Sequence, residues 1–290
     1  MKTIILMTVK NEEWIIDTTL SILSQISDEI IIADNNSSDE TINIIEKYRV
    51  NIIENNSTTP SNVIRWDLLD SARQNFGKSN LILCIDADEF VTPKLFWKYK
   101  KNILNNPGGT IFSSQWVQVW RDVNKYRSDE SVWNPKTNIK PYMFLDNGIV
   151  DYVREPLLID HTSRVPELNI NNKKILKFPL IHLQFANWKR AQIKQLWYQC
   201  IEVSNGADVE EVNNKYKSSS NEINISYKNL KSSWKKGIYI PESIQSTEIS
   251  NSWYINQIQE MVDSFGKKIF ENLEIWNSQT ISKIHKDILK

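Results

Sequence analysis

Residues 80–89 read Asn-Leu-Ile-Leu-Cys-Ile-Asp-Ala-Asp-Glu. An uninterrupted apolar run of this length, closed by polar residues, is the pattern of a strand buried on both faces. The carboxylates fall where that strand ends. In an extended segment positions i and i+2 point the same way, so Asp86 and Asp88 are expected on one side. Carboxylates side by side repel, and the arrangement is costly unless a cation or several donors compensate. A hard divalent ion does this and also binds phosphate oxygens, so the pair suits a metal that bridges protein and diphosphate. Asp-x-Asp alone is common in solvated acidic loops; its place directly after a buried strand gives it weight here.

Toward the N-terminus the same pattern recurs at 3–9, 29–33 and 50–54. Between these runs, residues 11–26 carry apolar positions at Trp14, Ile15, Ile22 and Ile26 and predict a helix. A second helix is expected over 40–49, preceded by the cap chemistry of Asn-Asn-Ser-Ser-Asp-Glu, and a third from Pro60-Ser61 to about Phe76. The order β-α-β-α-β-α-β implies a parallel sheet covered on both faces, with right-handed crossovers. In open sheets of this kind ligands bind outside the carboxyl ends of the strands. Those ends carry Lys10-Asn11-Glu12, Asp34-Asn35 and Asp86-Ala87-Asp88-Glu89, three polar clusters at one edge.

Beyond Pro93 the pattern changes. Residues 94–105 predict a helix and 110–120 a longer strand. Residues 121–180 are loop-rich and partly antiparallel, with short strands at 140–145 and 175–178. A helix is expected over 187–204, and amphipathic helices over 250–276 with Trp253, Ile258, Met261, Phe265 and Ile269. Residues 207–235 are polar and show no clear period.

The bulk composition narrows the classes. With 40% apolar and 24% charged residues in 290, the chain can build one large α/β domain plus a helical extension. Its formal net charge of zero argues against a broad electrostatic grip on nucleic acid. Two cysteines, Cys84 and Cys200, make neither a disulfide framework nor a zinc cage. The apolar N-terminal run is too short for a secretion signal, and no stretch reaches the roughly 18 apolar residues that span a bilayer. The expectation is a cytoplasmic protein, with peripheral contact at the inner face of the membrane left open. The 11 tryptophans serve first as packing anchors, and they also permit stacking on sugar rings.

Thr8-Val9-Lys10-Asn11-Glu12-Glu13, Ala33-Asp34-Asn35-Asn36-Ser37-Ser38-Asp39-Glu40-Thr41 and Ile85-Asp86-Ala87-Asp88-Glu89 resemble, in order and spacing, three successive signatures of family-2 glycosyltransferases. The second signature usually carries two adjacent acids; here the second is Asn35. The resemblance implies a GT-A type, Rossmann-like, mostly parallel sheet flanked by helices, with a loop-rich acceptor half and a C-terminal helical extension. Residues 1–105 would form the nucleotide-sugar half, 106–205 the acceptor half of the same domain, and 206–290 the extension. It further implies transfer from a nucleotide-diphosphate sugar, a UDP-sugar favoured, to a hydroxyl of a glycan or glycolipid acceptor. Inversion, dependence on Mn2+ or Mg2+, and a part in cell-surface polysaccharide synthesis follow from family habit.

The resemblance also assigns residues. Thr8, Lys10 and Glu12 would line the nucleoside pocket, Asp34 or Asn35 would meet base or ribose, and Arg65 would reach the nucleotide. Asp86 would touch ribose or metal, Asp88 would be the main metal ligand, and Glu89 would position sugar or metal shell. His182, inside Ile181-His182-Leu183-Gln184-Phe185, reads by itself as a core histidine; related enzymes add a late histidine to the metal shell. Arg164 follows Asp160-His161-Thr-Ser in a loop and suits diphosphate, because guanidinium pairs bidentately with phosphate. An inverting transfer needs a carboxylate base, and Asp129, Glu130, Asp151 and Glu155 are the candidates. Asp129-Glu130, between Arg127 and Trp133, combines charge and aromatic as a sugar site does. His285 falls in a charged terminal stretch and is expected in solvent.

Three other functions compete. A sugar nucleotidyltransferase needs a glycine-rich basic loop after the first strand, and Thr8–Glu12 has no glycine. An Asp-x-Asp phosphatase carries its motif after the first strand, with Thr or Val two residues on; here it follows the fourth strand, and Phe90 stands there. A non-catalytic sugar- or nucleotide-binding protein on the same fold would have no need of Asp86 and Asp88.

Overall fold

The structure is a computed structural model that describes residues 1–55, 63–154, 163–221, 223–246 and 253–283. Its first half runs β1 (Thr3–Val9), α1 (Ile16–Leu23), β2 (Glu29–Asp34), α2 (Thr41–Ile45), β3 (Asn51–Glu54), α3 (Val63–Phe76), β4 (Leu81–Cys84), β5 (Glu89–Phe90) and α4 (Pro93–Leu104). The second half runs β6 (Thr110–Trp120), β7 (Lys125–Arg127), β8 (Ile139–Leu145), β9 (Asn172–Ile175), β10 (Leu180–Phe185), α5 (Trp188–Ser204), α6 (Val209–Ser220), β11 (Tyr227–Asn229), α7 (Ser232–Lys235) and α8 (Trp253–Phe265).

The chain divides into two units. The first comprises residues 1–117, 135–182 and 230–241. At its centre β1 lies between β2 and β4, parallel to both, with Val9 opposite Asp34 and Ile4 opposite Ile82. β3 extends the parallel set beyond β2. On the other side β8 joins β4 antiparallel and β6 joins β8 antiparallel, so the order is β3-β2-β1-β4-β8-β6. The sheet is thus mostly parallel and flanked by helices, as the alternation of patterns predicts. Ile4, Leu6, Ile31 and Ala33 pack against Trp66, Leu68, Leu69 and Ala72 of α3, while Ile5 and Met7 are buried on the opposite face. Full burial of each such Ile, Leu or Met side chain contributes about 1.5–3 kcal/mol.

The second unit comprises residues 118–134, 183–229 and 242–290. α5 is its spine: Leu196, Trp197, Cys200 and Val203 share a core with Val212 and Tyr216 of α6 and Ile258 and Val262 of α8. Asn187 caps α5 by accepting from the Arg190 N–H, and Asp208 caps α6 by accepting from Glu210 and Glu211. A smaller cluster gathers Trp120, Phe185 and Ala191, with Trp133 and Trp188 against it.

Some boundaries move. The first helix starts at Ile16 rather than near residue 11, because Asn11 takes a left-handed φ of 52° and the Glu12 carbonyl closes a turn onto Ile15 and Ile16. The second helix is confined to Thr41–Ile45, and the strand expected over 175–178 lies at Asn172–Ile175. The polar stretch 207–235 contains α6, β11 and α7. Among the described residues no helix is long and apolar enough to cross a membrane.

Candidate active site

The loops after β1 and β2 are tied to each other. Asn11 donates its N–H to Ser37 Oγ at 2.9 Å and accepts from the Ser38 N–H at 2.7 Å. The Glu12 N–H donates to Thr41 Oγ1 at 2.8 Å, and Ser37 donates both N–H and hydroxyl to Asp34, at 3.0 and 2.6 Å. Trp14 Nε1 donates to Glu12 at 2.6 Å, and Asn55 donates to Asn35 at 3.2 Å. The Glu12 and Asp34 carboxylates therefore help to build this rim. Lys10, at the end of β1, has its pKa lowered by burial, against the pull of Asp34. Thr8 lies two positions earlier, opposite Ala33.

The carboxylate run sits on a turn. After β4, the Ile85 N–H still donates to Leu6, but the Glu89 N–H folds back to the Asp86 carbonyl at 3.0 Å. The segment is thus not extended, and the expectation that Asp86 and Asp88 point the same way is corrected. Asp86 Oδ2 takes a hydrogen bond from Arg164 Nη2 at 2.6 Å, whereas Asp88 Oδ1 lies 3.1 Å from His182 Nε2. β5 pairs antiparallel with β10, which sets His182 opposite Glu89 in the ladder.

Glu89 is the hub. It is fully buried, its Oε2 accepts from Arg164 Nη1 at 2.6 Å and its Oε1 accepts from Trp116 Nε1 at 2.7 Å. The Trp116 ring stacks on His182 with centroids 4.7 Å apart and planes 12° from parallel. Trp116 escapes sequence reasoning: it is one of 11 tryptophans in a strand-like run, with no local signal to single it out.

Electrostatics follow from these contacts. Burial pushes the Asp86 carboxyl up, but the Arg164 and Arg65 guanidiniums more than reverse it and hold it below the usual range. Arg65, near the start of α3, is thereby placed within electrostatic reach of the run. Burial dominates at Glu89, whose pKa is raised although Arg164 opposes it. Burial disfavours the His182 imidazolium, yet Asp88, backed by Glu89 and Asp86, raises its pKa above 6.5.

The three predicted metal ligands are not gathered into one ready site. Among the described residues no group of three or more His, Cys, Asp or Glu side chains is arranged to hold a metal ion. Asp88 and His182, a carboxylate beside an imidazole, have donors that suit a divalent ion. Asp86 belongs to the same turn but is taken by Arg164.

The candidate bases have other surroundings. Asp129, in the second unit, accepts from Arg127 Nε at 2.8 Å and from the Ser131 hydroxyl. Burial raises its pKa, but Ser131 and Arg127 outweigh that and leave it lowered. Glu130 is exposed. Asp151, in the first unit, bridges to Leu168 and binds Arg154, which also pairs with Asp70. Glu155, Asp160, His161 and His285 lie outside the described residues.

The sequence profile described as Glycosyl transferase family 2 matches residues 3–159, more than half of the chain. No curated protein matches it. Among solved structures, S. aureus TarS 1-349 is similar at 12% identity over 99% of this chain and 92% of that chain, with a TM-score of 0.43. The same protein in complex with UDP is similar at 13% identity, 99% and 92% coverage and a TM-score of 0.42. Glucosyl-3-phosphoglycerate synthase from Mycobacterium tuberculosis in complex with Mn2+ and UDP-Glc is similar at 18% identity over 40% of this chain and 43% of that chain, with a TM-score of 0.30.

Proposed function

The chain belongs to glycosyl transferase family 2, and on that premise we propose that it is a metal-dependent, inverting transferase that moves a sugar from a nucleotide-diphosphate donor to an acceptor hydroxyl. One observation carries the reading: at the carboxyl end of the parallel strands, Asp86, Asp88 and Glu89 meet Arg164 and His182 within hydrogen-bonding distance. A parallel sheet binds ligands at that edge, and alternating fixed charges of both signs are what a diphosphate and its counter-ion require.

In this reading Asp88 and His182 hold Mn2+ or Mg2+, and Asp86 reaches ribose or metal. The bound ion supplies neutralisation of the charge that grows on the departing diphosphate. Thr8, Lys10, Glu12, Asp34, Asn35 and Arg65 line the nucleoside and diphosphate side. The hydrogen bonds that tie Glu12 to Trp14 and Thr41, Asp34 to Ser37 and Asn35 to Asn55 keep that part of the rim in place before the donor arrives, which lowers the ordering cost of binding. Arg164 presents a planar fork to phosphate oxygens. Glu89 and Trp116 orient Arg164 and His182 rather than touch the sugar.

Inversion assigns a carboxylate, Asp129, Glu130 or Asp151, to draw the proton from the attacking hydroxyl as the bond to the diphosphate breaks. Residues 1–105 form the donor half, 106–205 the acceptor half, and 206–290 the helical extension. The favoured donor is a UDP-sugar, and the acceptor a glycan or glycolipid of the cell surface, met at the cytoplasmic side of the membrane.

The test is thermal shift with UDP, GDP, dTDP and CDP, each with and without Mn2+. One nucleotide is expected to stabilise the protein only with metal, by about 2.7 kcal/mol at a hundredfold excess over Kd. Asp88→Ala should abolish the metal-dependent part and sugar transfer with it. If no nucleotide stabilises in a metal-dependent way, the reading is lost.

A further inference from the structure

We propose that α4, together with the two stretches packed beside it, forms a docking surface for an anionic lipid bilayer. The inference rests on the transferase reading only for its purpose, access to a glycolipid acceptor; the surface itself follows from charge, placement and exposure.

Residues 93–104, 172–178 and 231–241 hold ten lysines and no Asp, Glu or Arg. Basic and acidic residues balance at 35 each over the whole chain, so this surplus is local. Like charges crowd within it. Lys236 lies close enough to Lys94 to push its ammonium below the ordinary lysine pKa, through their short-range contact and their like charge. A partner of opposite sign relieves such crowding.

All three stretches belong to the first unit, and contacts through α4 bring them together. Tyr99 of α4 stacks on Phe178, with ring centroids 5.6 Å apart. On the other flank the hydroxyl of Thr92, the N-cap of α4, donates to the Trp234 carbonyl. Along α4, Lys94, Trp97, Lys98 and Lys101 recur at i, i+3, i+4 and i+7 and so form one stripe. All four are exposed, whereas Phe96 and Ile103 are buried. The Trp97 indole N–H donates to the Gln25 carbonyl at 3.1 Å, and Lys100 lies over the ring at 4.3 Å, so the ring is held in place at the surface.

A negatively charged leaflet attracts clustered lysines that come within a Debye length of it. Trp97 is 53% exposed, and Ile175 and Tyr239, in the other two stretches, are 68% and 78% exposed. Aromatic and apolar groups set among lysines enter the headgroup boundary, as they do on proteins that lie on a membrane. A nucleic acid would be held better by arginine, whose planar fork fits phosphate bidentately. Lysine is a point charge and suits a fluid array of headgroups. Only Val91 and Thr92 separate β5, which bears Glu89, from α4. A bilayer that holds α4 therefore holds the turn at 86–89 at a fixed distance from its surface.

The experiment sediments the full chain with vesicles of phosphatidylcholine alone, or of phosphatidylcholine with about one third phosphatidylserine. Wild type should bind the mixed vesicles and leave the neutral ones. Raising the salt from about 0.1 M to 1 M shortens the Debye length from about 10 Å to about 3 Å and should release most of the bound protein. The triple variant Lys94→Gln, Lys98→Gln, Lys101→Gln should bind at least about a hundredfold more weakly, because each surface lysine is worth a factor of about five. A second triple variant, Lys173→Gln, Lys174→Gln, Lys177→Gln, also changes only exposed positions and should lose binding likewise, so the outcome does not depend on one variant folding. Trp97→Ala should weaken binding severalfold while the salt dependence stays. Equal binding to neutral vesicles overturns the proposal, and so does wild-type affinity in either folded triple variant. A single-stranded oligonucleotide that binds the same lysines more tightly than the vesicles do overturns it in favour of a nucleic acid. Vesicle binding is read without sugar transfer. Its failure therefore leaves the transferase reading to the nucleotide test, and failure of that test leaves docking standing.

Discussion

Asp86 and Asp88 stand two residues apart and serve different partners, because the turn closed by the Glu89 N–H sends one to Arg164 and the other to His182. The residue between these partners is Trp116, which binds Glu89 through its indole N–H and His182 through its face. Trp116→Phe keeps the face and loses the hydrogen bond. A bond to a charged group is worth about 1.5–3 kcal/mol, so kcat should fall about tenfold or more. Trp116→Ala should fall further, with KM for the acceptor little changed. A Trp116→Ala enzyme with wild-type kcat would show that Trp116 only fills space. Asp129 supports a prediction in pH. Its folded pKa is held below the ordinary aspartate value of about 3.8, so its contribution to stability is present above that value and is lost as pH falls through the folded pKa. Acid melts of wild type and Asp129→Asn should stay apart above pH about 4 and converge only as the pH falls through the lower folded pKa. Parallel curves throughout would mean that the Arg127–Asp129 pair contributes nothing.

At the scale of elements, β1, β2, β3 and β4 are legible because strands buried on both faces need continuous apolar runs. Leu83→Ala in β4, where the side chain is fully buried, should cost about 2–5 kcal/mol, read as a shifted denaturant midpoint at constant slope. Burial raises the thiol of Cys84 in β4 to about 11 and that of Cys200 in α5 to about 12. Neither should react with a thiol reagent at pH 8 until the protein unfolds; rapid labelling of the native chain would contradict the burial of both elements. The early helices are less legible. Asn11 can adopt φ 52° at modest cost, and the helical period of 11–26 does not reveal that this residue spends itself on the neighbouring loop. The polar stretch 207–235 hides α6, whose burial is limited to Val212, Tyr216 and Ser219, too few for a clear period.

At the scale of the molecule, each unit is assembled from separate stretches of chain. α5 shares its core with α6 and α8, and the cut between residues 205 and 206 passes through it. A chain ending at residue 205 should expose Leu196, Trp197, Cys200 and Val203, and should bind a hydrophobic dye and aggregate at temperatures where the full chain is stable. A soluble truncation with an unchanged melting temperature would show that α5 is held by other means. The chemistry of the site divides along the same line. Apolar periods and polar strand ends determine, from sequence alone, a mostly parallel sheet and the edge that bears Lys10, Asp34 and Asp86, because burial pattern and strand direction are local properties. Which carboxylate meets which cation is decided by the tertiary structure. Arg164 is 78 residues from Asp86 and His182 is 94 from Asp88, and an ion pair depends on distance in space, which a linear pattern of residues does not carry.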